Sequence, residues 1–214
     1  MLDFNNYTGE MRHNLPSMNV VIGIPTMGSV DTKTTESLFR LNRGNNKVAL
    51  LTTEYSLIYD ARERIIHKAL ENSATDYVLF IDSDIVFEPD TLLKLLKTAR
   101  IYKDSIISGA YPYKYEKANV VGFDLYGKEI PAVSSTKDNY ILASSIGMGM
   151  CLIPRKILED IVKEYEGSGI FHPFSGMGED ISFCRRVTSN GYKIIVDRAI
   201  TCGHVGKKVY EVGE

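Results

Sequence analysis

The sequence predicts an α/β protein in which a mostly parallel central sheet is flanked by helices. Short apolar runs of β-forming residues recur through the first half: NVVIGI from Asn19, KVALLT (Lys47 to Thr52), YVLFI (Tyr77 to Ile81) and SIISGA (Ser105 to Ala110). All four read as strands, YVLFI as one buried on both faces of a parallel sheet and SIISGA as a further buried strand. Segments of helical spacing separate them, and that alternation implies right-handed crossovers. The third run ends in Asp82-Ser83-Asp84. Two carboxylates therefore sit at the carboxyl edge, where open α/β sheets bind their ligands.

Taken in order, residues 1 to about 17 are polar and aperiodic and read as a loose arm. The first strand closes on the turn-rich Pro25-Thr26-Met27-Gly28-Ser29, and a helix covers part of Thr32 to Leu41. From Ser56 to Leu70, Leu57, Ala61, Ile65 and Ala69 recur at helical spacing, with Arg62, Arg64 and Lys68 on other faces. Pro89 opens a helix that turns Leu92, Leu93, Leu95, Leu96 and Ala99 inward. Between Tyr111 and Tyr140, tyrosines, lysines, Gly122, Gly127 and Pro131 suggest hairpins and loops. A glycine turn and strand follow over Gly147 to Pro154, then a helix from about Arg155 to Tyr165. The glycine-rich loop Gly167 to Gly178 leads to a helix over Asp180 to Asn190, stopped by Gly191. KIIVD and AITC read as two short strands. With no repeat or linker, the expectation is one domain over 1–214, with halves at about 18–110 and 111–214.

A chain of 214 residues suffices for one well-cored domain, and 44% apolar with 24% charged residues is ordinary globular composition. A net charge of -2 gives no electrostatic reason to expect a nucleic-acid or membrane surface. It leaves open a nucleic acid held by a local patch as a chemical substrate. Cys151, Cys184 and Cys202 follow no metal-ligand spacing and read as reduced, buried thiols in a cytosolic setting. No apolar run reaches membrane-spanning length, and MLDFNNYTGE is no signal peptide, so the expectation is a soluble cytoplasmic protein.

Two neighbouring acids repel unless something positive comes between them, and a divalent metal is the usual answer. Asp82 and Asp84 therefore read as a metal site in a nucleotide-handling protein; the bland alternative is a turn or helix cap. The Glu179-Asp180 pair opens a helix, which a plain N-cap would also explain.

Five pieces in this order resemble a glycosyltransferase of the GT-A fold, of the family 2 type and most like its small phage or bacterial versions. They are VVIGIPT, ARERI, LFIDSDIVFEPDTL, IGMGMCLIPR, and GEDISFCRRVTSNGYKIIVD followed by His204, spanning Asn19 to Lys208. The resemblance implies a Rossmann-like nucleotide-diphospho-sugar transferase fold. Asp82-Ser83-Asp84 matches its DxD motif, which holds Mn²⁺ or Mg²⁺ against the diphosphate of a sugar nucleotide. It makes Asp84 the direct ligand, with Asp82 contacting ribose or a metal-bound water, and it brings back His204 as a third ligand. Asp180 becomes the general base of an inverting enzyme, and Glu179 an acceptor contact or substitute base.

The same resemblance puts Pro25, Thr26 and Glu54 beside the nucleoside, with Thr53 next to them. Arg62 would reach base or phosphate, or be an exposed helical arginine; the Glu63 that follows departs from the family's asparagine. Lys207 or Lys208 would pair with the diphosphate, or form a solvated tail. Gly147, Met148 and Gly149 match an acceptor loop whose bare backbone lets a sugar approach closely. Tyr111, Tyr113 and Tyr115 suggest a half-buried hairpin face or an aromatic wall, and His172 an acceptor contact. His13 and His67 have no convincing partner.

The expected partners are a nucleotide-sugar donor, with UDP as the carrier by analogy, and an acceptor that is a glycan, small molecule, protein or modified base. A sugar-phosphate nucleotidyltransferase would need a basic glycine-rich loop after the first strand, where IPTMGSVD stands instead. A non-catalytic binding module of the same fold is the other alternative. Oligomeric state is not legible.

Overall fold

A computed structural model of the chain describes residues 16–55, 57–114, 119–131 and 139–206. Among these, ten strands and five helices follow one another. The first half holds β1 (Asn19–Thr26), α1 (Thr32–Arg40), β2 (Lys47–Glu54), α2 (Ile58–Leu70), β3 (Tyr77–Ile81), β4 (Ile85–Phe87), α3 (Thr91–Ile101) and β5 (Ser105–Ala110). The second half adds β6 (Asn119–Asp124), β7 (Glu129–Pro131), β8 (Tyr140–Ile146), β9 (Met150–Pro154), α4 (Arg155–Glu164), α5 (Glu179–Ser189) and β10 (Lys193–His204).

The strand order is β2-β1-β3-β9-β5-β10-β8-β6-β7, with β4 paired to β10 off this path. The α/β class and the flanking helices are as expected, but the sheet is mixed rather than mostly parallel. Among the described residues, parallel pairing links β1 to β2 and β3, and β5 to β10. Between those groups β9 runs antiparallel to both β3 and β5. The segments read as two short strands near the end form one bent strand, β10, whose register against β5 shifts between Asp197 and Thr201.

In β1, β3 and β5 the apolar runs lack polar alternation because the sheet is covered on both faces there. The KVALLT run differs, since β2 is the edge strand and leaves Ala49 and Leu50 exposed. Val78 and Phe80 of β3 join one core with Ile65, Ile66 and Phe183. Leu79 and Ile81 join the other with Leu92, Leu95 and Ile107. Each such side chain contributes about 1.5–3 kcal/mol by leaving water, so β3 has no alternative register that keeps both cores filled. That fixes where its carboxyl end, and hence Asp82, must lie.

Candidate active site

The site grows from the end of β3. Asp82 N–H donates to the Gly149 carbonyl at 3.0 Å, and Ile85 N–H closes a turn onto the Asp82 carbonyl at 3.2 Å. The chain then enters β4, which pairs with the last residues of β10 so that Ile85 lies opposite His204. Val205 N–H donates to the Asp84 carbonyl at 2.8 Å. Residues far apart in sequence become neighbours: His204 Nε2 stands 3.4 Å from Asp84 Oδ1.

His204 Nδ1 is 3.0 Å from the Pro112 carbonyl. Carbonyl and carboxylate can only accept, so both ring nitrogens carry a proton when His204 pairs with Asp84, and Nε2 must give its proton up to hold a metal. The other carboxylate oxygen, Asp84 Oδ2, takes the Lys114 ammonium at 2.6 Å. Burial pushes the Asp84 carboxyl up, but the hydrogen bonds of His204 and Lys114 outweigh it and hold the group at about 2. The bond to Asp84 raises the His204 imidazole against the opposing effect of burial.

Asp82 turns the other way. Its Oδ1 accepts from Arg62 Nη2 at 2.9 Å, and Arg62 Nε lies 3.8 Å from Glu179 Oε1. Arg62 is not an exposed helical residue: it is 2% exposed and sits over the Phe80 ring. Burial alone would lower its basicity, yet Asp82 and Glu179 hold the guanidinium charged, raised overall. Arg62 hydrogen-bonds Asp82 through Nη2, while its buried Nε and Nη1 have no hydrogen-bond partner among the described residues and it acts on Glu179 through charge alone. Glu179 is itself raised, first by burial and then by Asp180, with Arg62 opposing.

Among the described residues, no three His, Cys, Asp or Glu side chains gather round one metal position. Asp84 and His204 come together, whereas Asp82 is committed to Arg62. A carboxylate oxygen and an imidazole nitrogen facing each other at 3.4 Å suit Mn²⁺ or Mg²⁺, whose shells are usually completed by water and substrate phosphate. The residues fit a metal as a two-ligand set.

The acceptor-side loop is built differently from expectation. The bare backbone at Gly147 and Gly149 makes room for Tyr111, not for open solvent. A Cβ on Gly147 would stand 2.2 Å from the Tyr111 hydroxyl and 2.8 Å from Val121 Cγ1, and one on Gly149 would stand 2.9 Å from Tyr111 Cζ. Tyr111 is buried, accepts from Gly149 N–H at 2.9 Å, and meets His204 edge-on at 5.8 Å between centroids. It belongs to the floor of the site rather than to a hairpin face or an aromatic wall. Glu63 acts structurally, accepting from Ile170 N–H at 2.8 Å and Phe171 N–H at 3.1 Å and so tying α2 to the loop before α5. His172 caps the same junction, 3.3 Å from Asp60 and edge-on to Tyr59.

The loop delivers Glu179 and Asp180 into the first turn of α5, behind the N-cap Gly178. Asp180 Oδ1 accepts the N–H of Ile181 at 2.7 Å, so its second oxygen is left for other work. Thr26 and Glu54 end β1 and β2 side by side, on the same edge as Asp82. Thr26 is buried after Pro25, and its hydroxyl accepts from Gly28 N–H at 3.1 Å. Glu54 is exposed. The Ser83 carbonyl accepts from Asp31 N–H at 2.8 Å, locking the acidic turn to the N-cap residue of α1. Lys207 and Lys208, His13 and Tyr115 lie outside the described residues. Cys151, Cys184 and Cys202 are free and buried, with burial pushing the latter two thiols up to about 12. No helix among the described residues is long and apolar enough to cross a membrane.

Sheet, helices and edge acids define a mixed α/β fold with a candidate ligand site at the carboxyl edge of its sheet. Residues 63–162 match glycosyl transferase family 2, a span that includes Asp82, Asp84 and the Gly147–Gly149 loop. The solved structure of A197 from STIV is similar with a TM-score of 0.60 and 17% identity, over 92% of this chain and 99% of that one. The structure of GalNAc-T7 with UDP, GalNAc and Mn²⁺ is similar with a TM-score of 0.59 and 13% identity, over 92% of this chain but 44% of that one. No curated protein matches in sequence. Family match and fold together support a glycosyltransferase enzyme of the family 2 type with the GT-A fold.

Proposed function

We propose that the protein moves one sugar from a nucleoside diphosphate donor, with UDP as the carrier, to an acceptor hydroxyl, inverting the anomeric centre. The observation that carries this reading is the meeting of Asp84 and His204, 3.4 Å apart at the carboxyl edge of the sheet. GalNAc-T7 was solved with UDP and Mn²⁺, which supports the choice of carrier and ion. Asp84 and His204 would hold Mn²⁺ or Mg²⁺, and the bound ion would neutralise charge building on the departing diphosphate. Asp82, oriented by Arg62, faces the donor ribose or a water beside it.

Asp180, fixed in the first turn of α5, takes the acceptor proton through its second oxygen. The acceptor oxygen then bonds to the anomeric carbon as the carbon–oxygen bond to the diphosphate breaks on the opposite face. The electron pair of that bond leaves with the nucleoside diphosphate. Glu179 stands nearer Arg62, and its raised carboxyl gives it a claim to the same proton.

The test is turnover across a panel of nucleotide sugars, with and without Mn²⁺, for wild type, Asp84→Asn, Asp180→Asn and Glu179→Gln. Mn²⁺-dependent turnover of one donor, lowered about 100-fold or more in Asp84→Asn, is expected. Asp180→Asn should lower kcat by about 10²–10⁴ with little change in donor KM. A larger kcat loss in Glu179→Gln would move the base to that residue. Nucleotide binding without metal-dependent turnover would leave the binding-module reading standing, and no nucleotide binding by folded protein would sink the transferase reading.

A further inference from the structure

We propose that Lys114 holds the place of the divalent cation on Asp84 in the free enzyme. It gives way when the ion arrives and passes to the donor diphosphate. The inference rests on reading Asp84 and His204 as metal ligands.

The two edge acids are neutralised in different ways. Asp82 is bound to a buried arginine whose side chain is 3% exposed and stacked over Phe80. Its partner can leave only if the core opens. Asp84 is bound to a lysine whose side chain is 42% exposed. A four-carbon stem ending in a point charge with rotatable donors can swing away without moving the backbone. Asp82 is therefore paired permanently and Asp84 provisionally.

The ammonium also occupies what an ion would need. Lys114 Nζ is 2.6 Å from Asp84 Oδ2, and His204 Nε2 is 3.4 Å from Asp84 Oδ1, so both oxygens of one carboxylate are engaged by nitrogen. A divalent ion on Asp84 competes with the ammonium for the same lone pairs and repels it. The charge that would draw Lys114 off is the diphosphate, which arrives with the ion and offers acceptor oxygens to an ammonium. Ion and nucleotide then bind each other's complex more tightly than either binds the free protein. Lys114 would then share the phosphate-pairing role that the resemblance gives to Lys207 or Lys208.

The test measures Mn²⁺ binding alone, from the resonance signal of the free ion, in wild type, Lys114→Met and Asp84→Asn. UDP binding is followed by calorimetry at saturating Mn²⁺ and again in chelator. Lys114→Met should bind Mn²⁺ alone about 3- to 10-fold more tightly than wild type, while its UDP affinity with Mn²⁺ falls about 10-fold. Asp84→Asn should lose the Mn²⁺ site. Unchanged or weaker Mn²⁺ binding in Lys114→Met overturns the proposal. So does UDP binding in chelator that depends on Lys114, because the ammonium would then replace the ion rather than yield to it. If Asp84→Asn leaves Mn²⁺ binding intact, the metal-site reading itself fails, a result distinct from a null effect of Lys114→Met.

Discussion

Adding a single methyl group at Gly147 should unseat the floor of the site. The new Cβ would lie 2.2 Å from the Tyr111 hydroxyl and 2.8 Å from Val121 Cγ1. Neither distance can persist, and Tyr111 is only 4% exposed, so its ring has little room to retreat. Overpacking a filled core costs about 1–3 kcal/mol. Displacing the hydroxyl also removes the acceptor of Gly149 N–H, worth about 1 kcal/mol more. Gly147→Ala should therefore destabilise by about 2–4 kcal/mol. Tyr111→Phe should cost about 1–2 kcal/mol by leaving the Gly149 N–H unpaired. The two should not add. Without the hydroxyl, the nearest atom of residue 111 to the new methyl is ring carbon Cζ at 3.3 Å, a contact small shifts relieve. The double variant should then lie within about 1–2 kcal/mol of Tyr111→Phe alone, the remainder being the Val121 contact. Equilibrium unfolding in guanidinium, read by circular dichroism on all four proteins, closes the cycle. Additive losses, or a Gly147→Ala variant as stable as wild type, would refute the claim that this glycine exists to admit Tyr111.

Three further outcomes follow from the same contacts. Arg62→Met removes the partner of Asp82, whose side chain is 30% exposed and can turn to water. The loss should stay at about 1–3 kcal/mol, below that of a fully buried pair, and Asp82→Asn should cost little more in that background. Because the folded Glu179 carboxyl is raised above 4.5, its contribution is full below that pH and is lost as pH rises through the folded value. Glu179→Gln should therefore be more stable than wild type at pH 7, with the gap closing below about pH 4.5; unfolding midpoints at the two ends check the sign. Glu63→Ala strands the N–H groups of the buried Ile170 and Phe171. It should cost about 2–4 kcal/mol and speed amide exchange at those two positions, with Glu63→Gln intermediate.

How much of this was legible follows physical lines. The β3 run and its acids could be read because burial on both faces leaves no polar residue in the strand. The burial of Arg62 carried a signal that charge obscured: with Ile65, Ile66 and Ala69 it forms an i, i+3, i+4, i+7 stripe, and all four are buried. Glu63 looked like a departure because its partners are two backbone N–H groups more than 100 residues away. The antiparallel entry of β9 leaves no mark in a local pattern, since a two-faced strand reads the same in either direction. β4 is three residues long and among the described residues pairs only with β10, so nothing near Asp84 announces that His204 will arrive. Lys114 had no signal of its own beyond being one lysine in a tyrosine-rich stretch.

The place of β10 bears on how the protein is made. It is the last strand in chain order among the described residues, yet it lies between β5 and β8 and is held by both. Until residues 193–204 leave the ribosome, every earlier strand can be present while the sheet remains in two pieces, each with an open edge. A product that stops short of this strand exposes those edges to other chains. The strand that joins the pieces ends in His204 beside Asp84. Completing the sheet and bringing His204 to Asp84 are thus one event.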